Sequence, residues 1–76
     1  MKQHWLEDEL EEFWSLTPDE VELLKGRADS YRLGFSLLLK FFQIEGYFPR
    51  DHGDVPDAAV KYLGTLLNIP PSAFRT

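Results

Sequence analysis

The side chains best suited to chemistry stand together at Asp51-His52-Gly53-Asp54, where two carboxylates flank an imidazole. Such groups can hold a metal ion or transfer protons. The other histidine, His4, is distant in sequence, and the segment lacks the alternating carboxylates of a calcium loop. Glycine and aspartate are also ordinary turn residues. The pattern therefore favours a solvated loop, and we predict no bound metal and no cofactor.

Catalysis by a nucleophile has no support in the sequence. No serine stands in a nucleophile-elbow motif, and the five glycines are isolated instead of forming a phosphate-binding loop. The chain has no cysteine, which excludes disulfides and thiolate metal sites and fits a reducing compartment. We therefore predict a cytoplasmic domain that is not an enzyme by itself.

Basic side chains offer a different kind of site. Within residues 30–45 the polar residues recur at intervals of four, four and three, which places them in one stripe of a helix. These residues are Arg32, Ser36, Lys40 and Gln43. The rest of this helix is apolar nearly all round, so we expect the stripe to be its solvent-facing edge. Lysine and arginine on such an edge can bind nucleic-acid phosphates. Our candidates for phosphate contact are Lys25, Arg27, Arg32 and Lys40.

Charge is distributed unevenly along the chain. The formal net charge is −5, but residues 1–22 hold eight acids and one base, whereas residues 23–76 hold five acids and seven bases. The first segment is therefore strongly acidic and the second slightly basic. Such asymmetry indicates two surfaces with different partners.

Two helices are predicted in the first third of the chain. Apolar residues at helical spacing predict the first over residues 3–14. The second has a clear start: Thr17 can cap it, Pro18 suits the first helical position, and Glu20 completes a capping box. Gly26 is the expected left-handed terminator.

The third helix should begin near Asp29 or Ser30, both of which can act as caps, and end at Gly46. Gly34 lies in its interior, where glycine costs ~1 kcal/mol relative to alanine. We expect another backbone, most simply that of the second helix, to pack closely against Gly34.

A loop over residues 47–55 leads to a fourth helix, which Pro56 opens and Asn68 ends. Residues 69–72 then read as a link into a fifth helix that the chain scarcely begins. The length allows one domain at most. We predict an all-α fold: a compact orthogonal bundle of four to five short helices, with a helix-turn-helix-like pair formed by the second and third. The longest apolar-rich run, residues 33–44, is too short to cross a membrane.

Three segments, LTPDE at 16–20, YRLGFSL at 31–37 and VPDAAV at 55–60, resemble in order and spacing the N-terminal domain of Tn-three-type transposases. The similarity extends over residues 10–76, and its most specific part is the Arg32-Leu33-Gly34-Phe35 core. Tyr31 stands where the family usually has asparagine, and Gln43 and Glu45 replace a usual arginine and proline.

The resemblance implies a module that recognises the terminal inverted repeats of a transposon and supports DNA transposition. Residues 1–76 would then be an N-terminal fragment of a longer transposase whose catalytic carboxylates lie downstream. Its partners would be double-stranded DNA and the remainder of the transposase, with no membrane. The alternative is a protein-interaction or dimerisation module of the same transposase, which acts through its acidic first helix.

Overall fold

The computed structural model describes residues 1–75, which form four α-helices and two short 3₁₀ helices without any strand. The α-helices are α1 (Glu7–Trp14), α2 (Pro18–Leu23), α3 (Asp29–Glu45) and α4 (Asp57–Leu67). The 3₁₀ helices, His52–Asp54 and Pro71–Arg75, precede and follow α4. The all-α prediction is therefore confirmed.

The first two helices begin at residues that satisfy their free amide groups. α1 starts at Glu7, later than predicted, with Leu6 as its N-cap; the Leu6 amide donates to the Glu9 carboxylate at 2.9 Å. The predicted capping box of α2 is confirmed. The Glu20 amide donates to the Thr17 hydroxyl at 3.2 Å, and the Thr17 amide donates to the Glu20 carboxylate at 2.8 Å.

The long helix α3 begins at Asp29 and ends before Gly46, as predicted, but its N-cap residue is a different one. Its N-cap is Ala28, which makes no side-chain capping bond, so the predicted caps at Asp29 and Ser30 are wrong. Its last turn closes at Gly46, whose φ of 85° lies in the left-handed region that glycine adopts without strain. α4 ends in the same way at Asn68, with a φ of 59°.

The core lies between α1, α3 and α4. α3 packs on α4 and on the C-terminal 3₁₀ helix, and α1 packs against both α3 and α4. Trp14, Leu33, Leu37 and Leu63 are fully buried, and Phe74 of the last 3₁₀ helix belongs to the same core cluster. α2 buries none of its own residues, and only its C-cap residue Leu24 reaches the interior.

The expected close packing at Gly34 is wrong. Within residues 1–75, no atom other than those of the adjacent residues and the nearby backbone of α3 lies within 4 Å of the place where a β-carbon would stand. Residues 1–75 therefore give no packing reason for glycine at this position. Among these residues, none of the helices combines the length and apolar character that a bilayer crossing demands.

Candidate functional site

Three of the four predicted phosphate-binding residues lie where α2 turns into α3. Lys25 and Arg27 are exposed on either side of Gly26, whose φ is 77°. The Arg27 guanidinium lies 5.2 Å from the centre of the Tyr31 ring. Arg32 is partly exposed on the first turn of α3. The turn therefore presents a group of cations to solvent, which we call the basic turn (Lys25, Arg27 and Arg32).

Lys40, the fourth predicted residue, is not on this surface. Only 7% of its side chain is exposed, and its Nζ lies 2.6 Å from Glu20 Oε1 in α2. The expectation that Lys40 faces solvent is therefore wrong. A buried ammonium group is tolerated because a carboxylate at this distance compensates for its lost hydration.

A polar network around Lys40 joins α2 to α3. Gln43 accepts a hydrogen bond from Lys40 Nζ at 3.1 Å and donates one to Glu20 Oε2 at 2.9 Å. The same Glu20 carboxylate caps α2 through the Thr17 amide. Because α2 buries none of its own residues, this network is the main polar connection that holds α2 against α3.

The polar stripe of α3 is thus turned inward over much of its length. Ser36 is fully buried, and its hydroxyl donates to the Arg32 carbonyl at 2.6 Å. On the other side of the helix, Tyr31, Leu38 and Phe42 are exposed. The predicted open polar edge is therefore wrong at its centre, because the inner side of α3 is covered by elements that lie far away in sequence.

The Glu20 carboxylate has a strongly shifted pKa. Burial by itself raises this pKa, but the hydrogen bonds from Lys40, the Thr17 amide and Gln43 outweigh burial. Together they lower the pKa of Glu20 from 4.5 to about 2. The ionised form is therefore the one that the folded domain stabilises.

We expect this shift to make stability depend on pH. A carboxyl group whose pKa is lower in the folded state contributes stability above its unfolded pKa and loses it as the pH falls. The contribution of Glu20 should be complete above pH ~5 and should decline between pH 4.5 and about 2. Urea unfolding of the wild type and Glu20→Gln measures it as the difference in free energy of unfolding. That difference should shrink from pH 6 to pH 3; a constant difference would contradict the assignment.

In the loop that was considered for metal binding or acid–base chemistry, the carboxylates accept hydrogen bonds from backbone amides of the same loop. Asp51 accepts a hydrogen bond from the Gly53 amide at 2.7 Å, and Asp54 accepts one from the Arg50 amide at 2.9 Å. The His52 ring lies 4.4 Å from that of Phe74. Residues 1–75 contain no group of three or more histidine, cysteine, aspartate or glutamate side chains placed to hold a metal ion.

The acidic surface lies on α1. Leu10 and Trp14 of this helix point into the core, while the carboxylates on its outer side are exposed. These acids are Glu7, Asp8, Glu11 and Glu12. The acidic face of α1 and the basic turn therefore lie on different parts of the chain, although α2 also exposes Asp19 and Glu22 before the turn.

The sequence analysis did not predict that some apolar residues of α3 are exposed. In a helix that is apolar nearly all round, helical spacing assigns every apolar residue to the core. The exposed Tyr31, Leu38 and Phe42, with the half-buried Phe35 between the first two, follow one another at intervals of four, three and four, which is the repeat of a helix–helix seam. That repeat was the available signal.

One comparison with known proteins gave a match. A family model described as a domain of unknown function, DUF4158, matches residues 1–76. No curated protein and no solved structure matches the chain.

Proposed function

We propose that this chain, which belongs to the DUF4158 family, is a DNA-binding module of a Tn-three-type transposase that contacts transposon ends through its basic turn. The observation that carries the proposal is the exposure of Lys25 and Arg27 close to Arg32, at the one connection between helices in the described chain that has three cations within eight residues. The resemblance of residues 31–37 to the transposase core motif supplies the biological context.

The cations of the basic turn are available to an incoming phosphate. Lys25 lies 3.1 Å from Glu22, and Arg32 lies 3.4 Å from Asp29, in pairs that span less than one helical turn. Exposed pairs of this kind contribute only about 0–1 kcal/mol, so a phosphate can replace the carboxylate at little cost. Arg27 forms no ion pair within residues 1–75 and stacks on Tyr31 instead.

The geometry favours contact by the turn and the first turn of α3. Further along α3, the exposed side chains include Leu38 and Phe42, which offer no donors to base edges or phosphates. Lys40 takes no part, because it is buried against Glu20. In this proposal α3 therefore approaches the DNA backbone with its N-terminal end and does not lie along a groove.

The proposal predicts weak, salt-sensitive binding to duplex DNA. Each neutralised phosphate contributes about −0.9 to the slope of log K against log salt, so three cations give about −2.7. Arg27→Ala combined with Arg32→Ala should reduce this slope to about −0.9 and weaken binding at low salt. Fluorescence anisotropy with a labelled duplex, titrated at several salt concentrations, measures both quantities.

A matched control removes the same charge elsewhere. Arg50 and Lys61 are exposed outside the basic turn, so Arg50→Ala combined with Lys61→Ala has the same net charge as the test variant. The control should bind as the wild type does. Equal weakening in both variants, or binding that does not respond to salt, would show that the basic turn is not the DNA contact.

The alternative is a protein-interaction module that acts through α1. Its support is the exposed acidic face of that helix, which repels DNA and suits a basic partner. Deleting α1 is no test of this idea, because Leu10 and Trp14 belong to the core. Neutralising Glu7, Asp8 and Glu11 leaves the core intact and should abolish any association that depends on α1.

A further inference from the structure

The exposed side of α3 carries a continuous row of large apolar side chains, which we call the apolar stripe (Tyr31, Phe35, Leu38, Phe42 and Phe48). Tyr31 stacks on Phe35 at 5.6 Å between ring centres, and Phe48 stacks on Phe42 at 4.8 Å. Exposure is 45% for Tyr31, 43% for Phe42 and 62% for Phe48. A contiguous exposed apolar surface of this kind often serves as an interaction site.

The orientation of α3 also supports a role for the apolar stripe in binding. This helix buries the charged Lys40, which is 5% exposed, while it leaves aromatic rings in water on its other side. An isolated domain would be more stable with Lys40 exposed and the apolar stripe buried, because burial of apolar area is favourable and burial of charge is costly. Both sides of α3 are therefore suited to packing, and within residues 1–75 only one of them is packed.

Gly34 borders the stripe and leaves a gap in it. On a helix it neighbours Tyr31 and Leu38, three residues before and four residues after it. In the described part of the chain, apart from adjacent residues and the nearby backbone of α3, nothing lies within 4 Å of its missing β-carbon. Glycine in a helix interior lowers stability relative to alanine. A side chain of another molecule that fits into this gap would explain why the position is glycine, since no contact within residues 1–75 explains it.

The ends of the stripe carry opposite charges. Arg27 lies at the N-terminal end, against Tyr31, and Glu45 is exposed at the C-terminal end of α3. Neither forms an ion pair with another residue of the described chain. A surface that is positive at one end and negative at the other is complementary to a copy of itself turned by 180°.

From these features we propose that two copies of the chain associate through the apolar stripe, with their α3 helices antiparallel about a two-fold axis near Leu38. Gly34 and Phe42 lie equally far from Leu38 in sequence, so each Phe42 ring faces the gap at Gly34 of the other copy. Arg27 and Glu45 of the other copy differ by four residues along the axis, about 6 Å at 1.5 Å per residue, within reach of an arginine side chain.

The position of the acidic helix is compatible with this dimer. α1 carries five of the thirteen acidic residues and packs against α3 and α4 on the core side, where Leu10 and Trp14 join Leu33 and Leu37. The repulsion between two copies with a net charge of −5 is therefore not concentrated at the interface. The exposed parts of the stripe amount to roughly 400 Å² per copy, if each large side chain presents roughly 200 Å² in full. Stable interfaces bury about 800 Å² per partner, so the dimer is a weak one.

Sedimentation equilibrium without DNA, at concentrations up to about 1 mM, tests the proposal. We expect reversible dimers. Arg27→Glu and Glu45→Arg should each weaken association about tenfold or more, although they change the net charge in opposite directions. The variant with both substitutions restores complementary ends and should recover most of the affinity. Lys61→Glu, an equal charge change on exposed α4, should have little effect.

Gly34→Leu provides a test that does not depend on charge. Because the position is open, the domain should stay folded, as circular dichroism can verify, while the added side chain blocks the Phe42 ring of the other copy. Association should fall about tenfold or more. A monomer at about 1 mM would overturn the proposal. So would a dimer that tolerates Gly34→Leu, or a double charge variant that fails to recover; a dimer lost only on neutralising the acids of α1 would assign association to that helix.

Discussion

Replacing Lys40 by methionine is expected to lower the free energy of unfolding by about 3 kcal/mol, because the substitution leaves the Glu20 carboxylate buried without its cation. Only 13% of the Glu20 side chain is exposed, so water can compensate for little of the lost interaction. A domain of this size has a total stability of about 4–11 kcal/mol, so the loss is a large part of it. Urea unfolding followed by circular dichroism measures the change.

A second substitution, at Glu20, should restore much of the stability that Lys40→Met removes. Glu20→Gln in the Lys40→Met background removes the unpaired charge, and glutamine can still accept the Thr17 amide in a capping box. We expect the double variant to recover at least half of the stability that Lys40→Met removes. Lys61→Met, the same change on exposed α4, should alter stability by less than about 0.5 kcal/mol. If Lys40→Met behaved like Lys61→Met, the pair would not be the connection that we describe.

This result bears directly on how binding experiments are read. A DNA-binding defect in a Lys40 variant would follow from the release of α2, whose C-terminal end leads into Lys25 and Arg27 of the basic turn, and would not show phosphate contact. Variants of Arg27 and Arg32 avoid the difficulty, since neither residue supports the core. Lys40 thus positions the basic turn and does not belong to it.

Local chemistry explains which parts of the fold could be predicted from the sequence. The start of α2 at Thr17 and the ends of α3 and α4 at Gly46 and Asn68 are decided by the cap residues themselves. Each of these signals involves residues within one helical turn. The prediction of an all-α fold follows from the same signals, repeated along a chain without strand patterns.

The inner side of α3 could not be predicted in the same way. Its apolar residues surround the helix almost completely, so the periodicity indicated the polar stripe as the only candidate for the solvent-exposed side. The outcome depended on Glu20, which lies 20 residues before Lys40 and supplies the charge that makes the inward orientation tolerable. A contact between distant residues leaves no periodic pattern. For this reason the sequence did not predict the burial of Lys40 or the exposure of the apolar stripe.

The two glycines inside α-helices also look alike in sequence but differ in their surroundings. Gly34 of α3 is open, whereas a β-carbon on Gly64 of α4 would lie 2.7 Å from the Ile69 carbonyl oxygen. The Ile69 amide donates to the Gly64 carbonyl at 2.7 Å, so the chain folds back directly over this glycine after α4 ends. This close approach allows the segment after α4 to reach the core through Ile69 and Phe74.

Gly64→Ala should therefore destabilise the domain, and Gly34→Ala should stabilise it. Alanine gains up to ~1 kcal/mol in either helix interior. At Gly64 the methyl group must displace backbone, and overpacking of this kind costs about 1–3 kcal/mol. We expect a net loss of about 1–2 kcal/mol for Gly64→Ala and a gain of up to ~1 kcal/mol for Gly34→Ala. Since 1 kcal/mol shifts the Tm of a domain of this size by about 4–8 °C, thermal unfolding at low concentration should separate the two variants by about 10 °C. Equal Tm changes in the two variants would mean that the fold-back over Gly64 is looser than the 2.7 Å approach indicates.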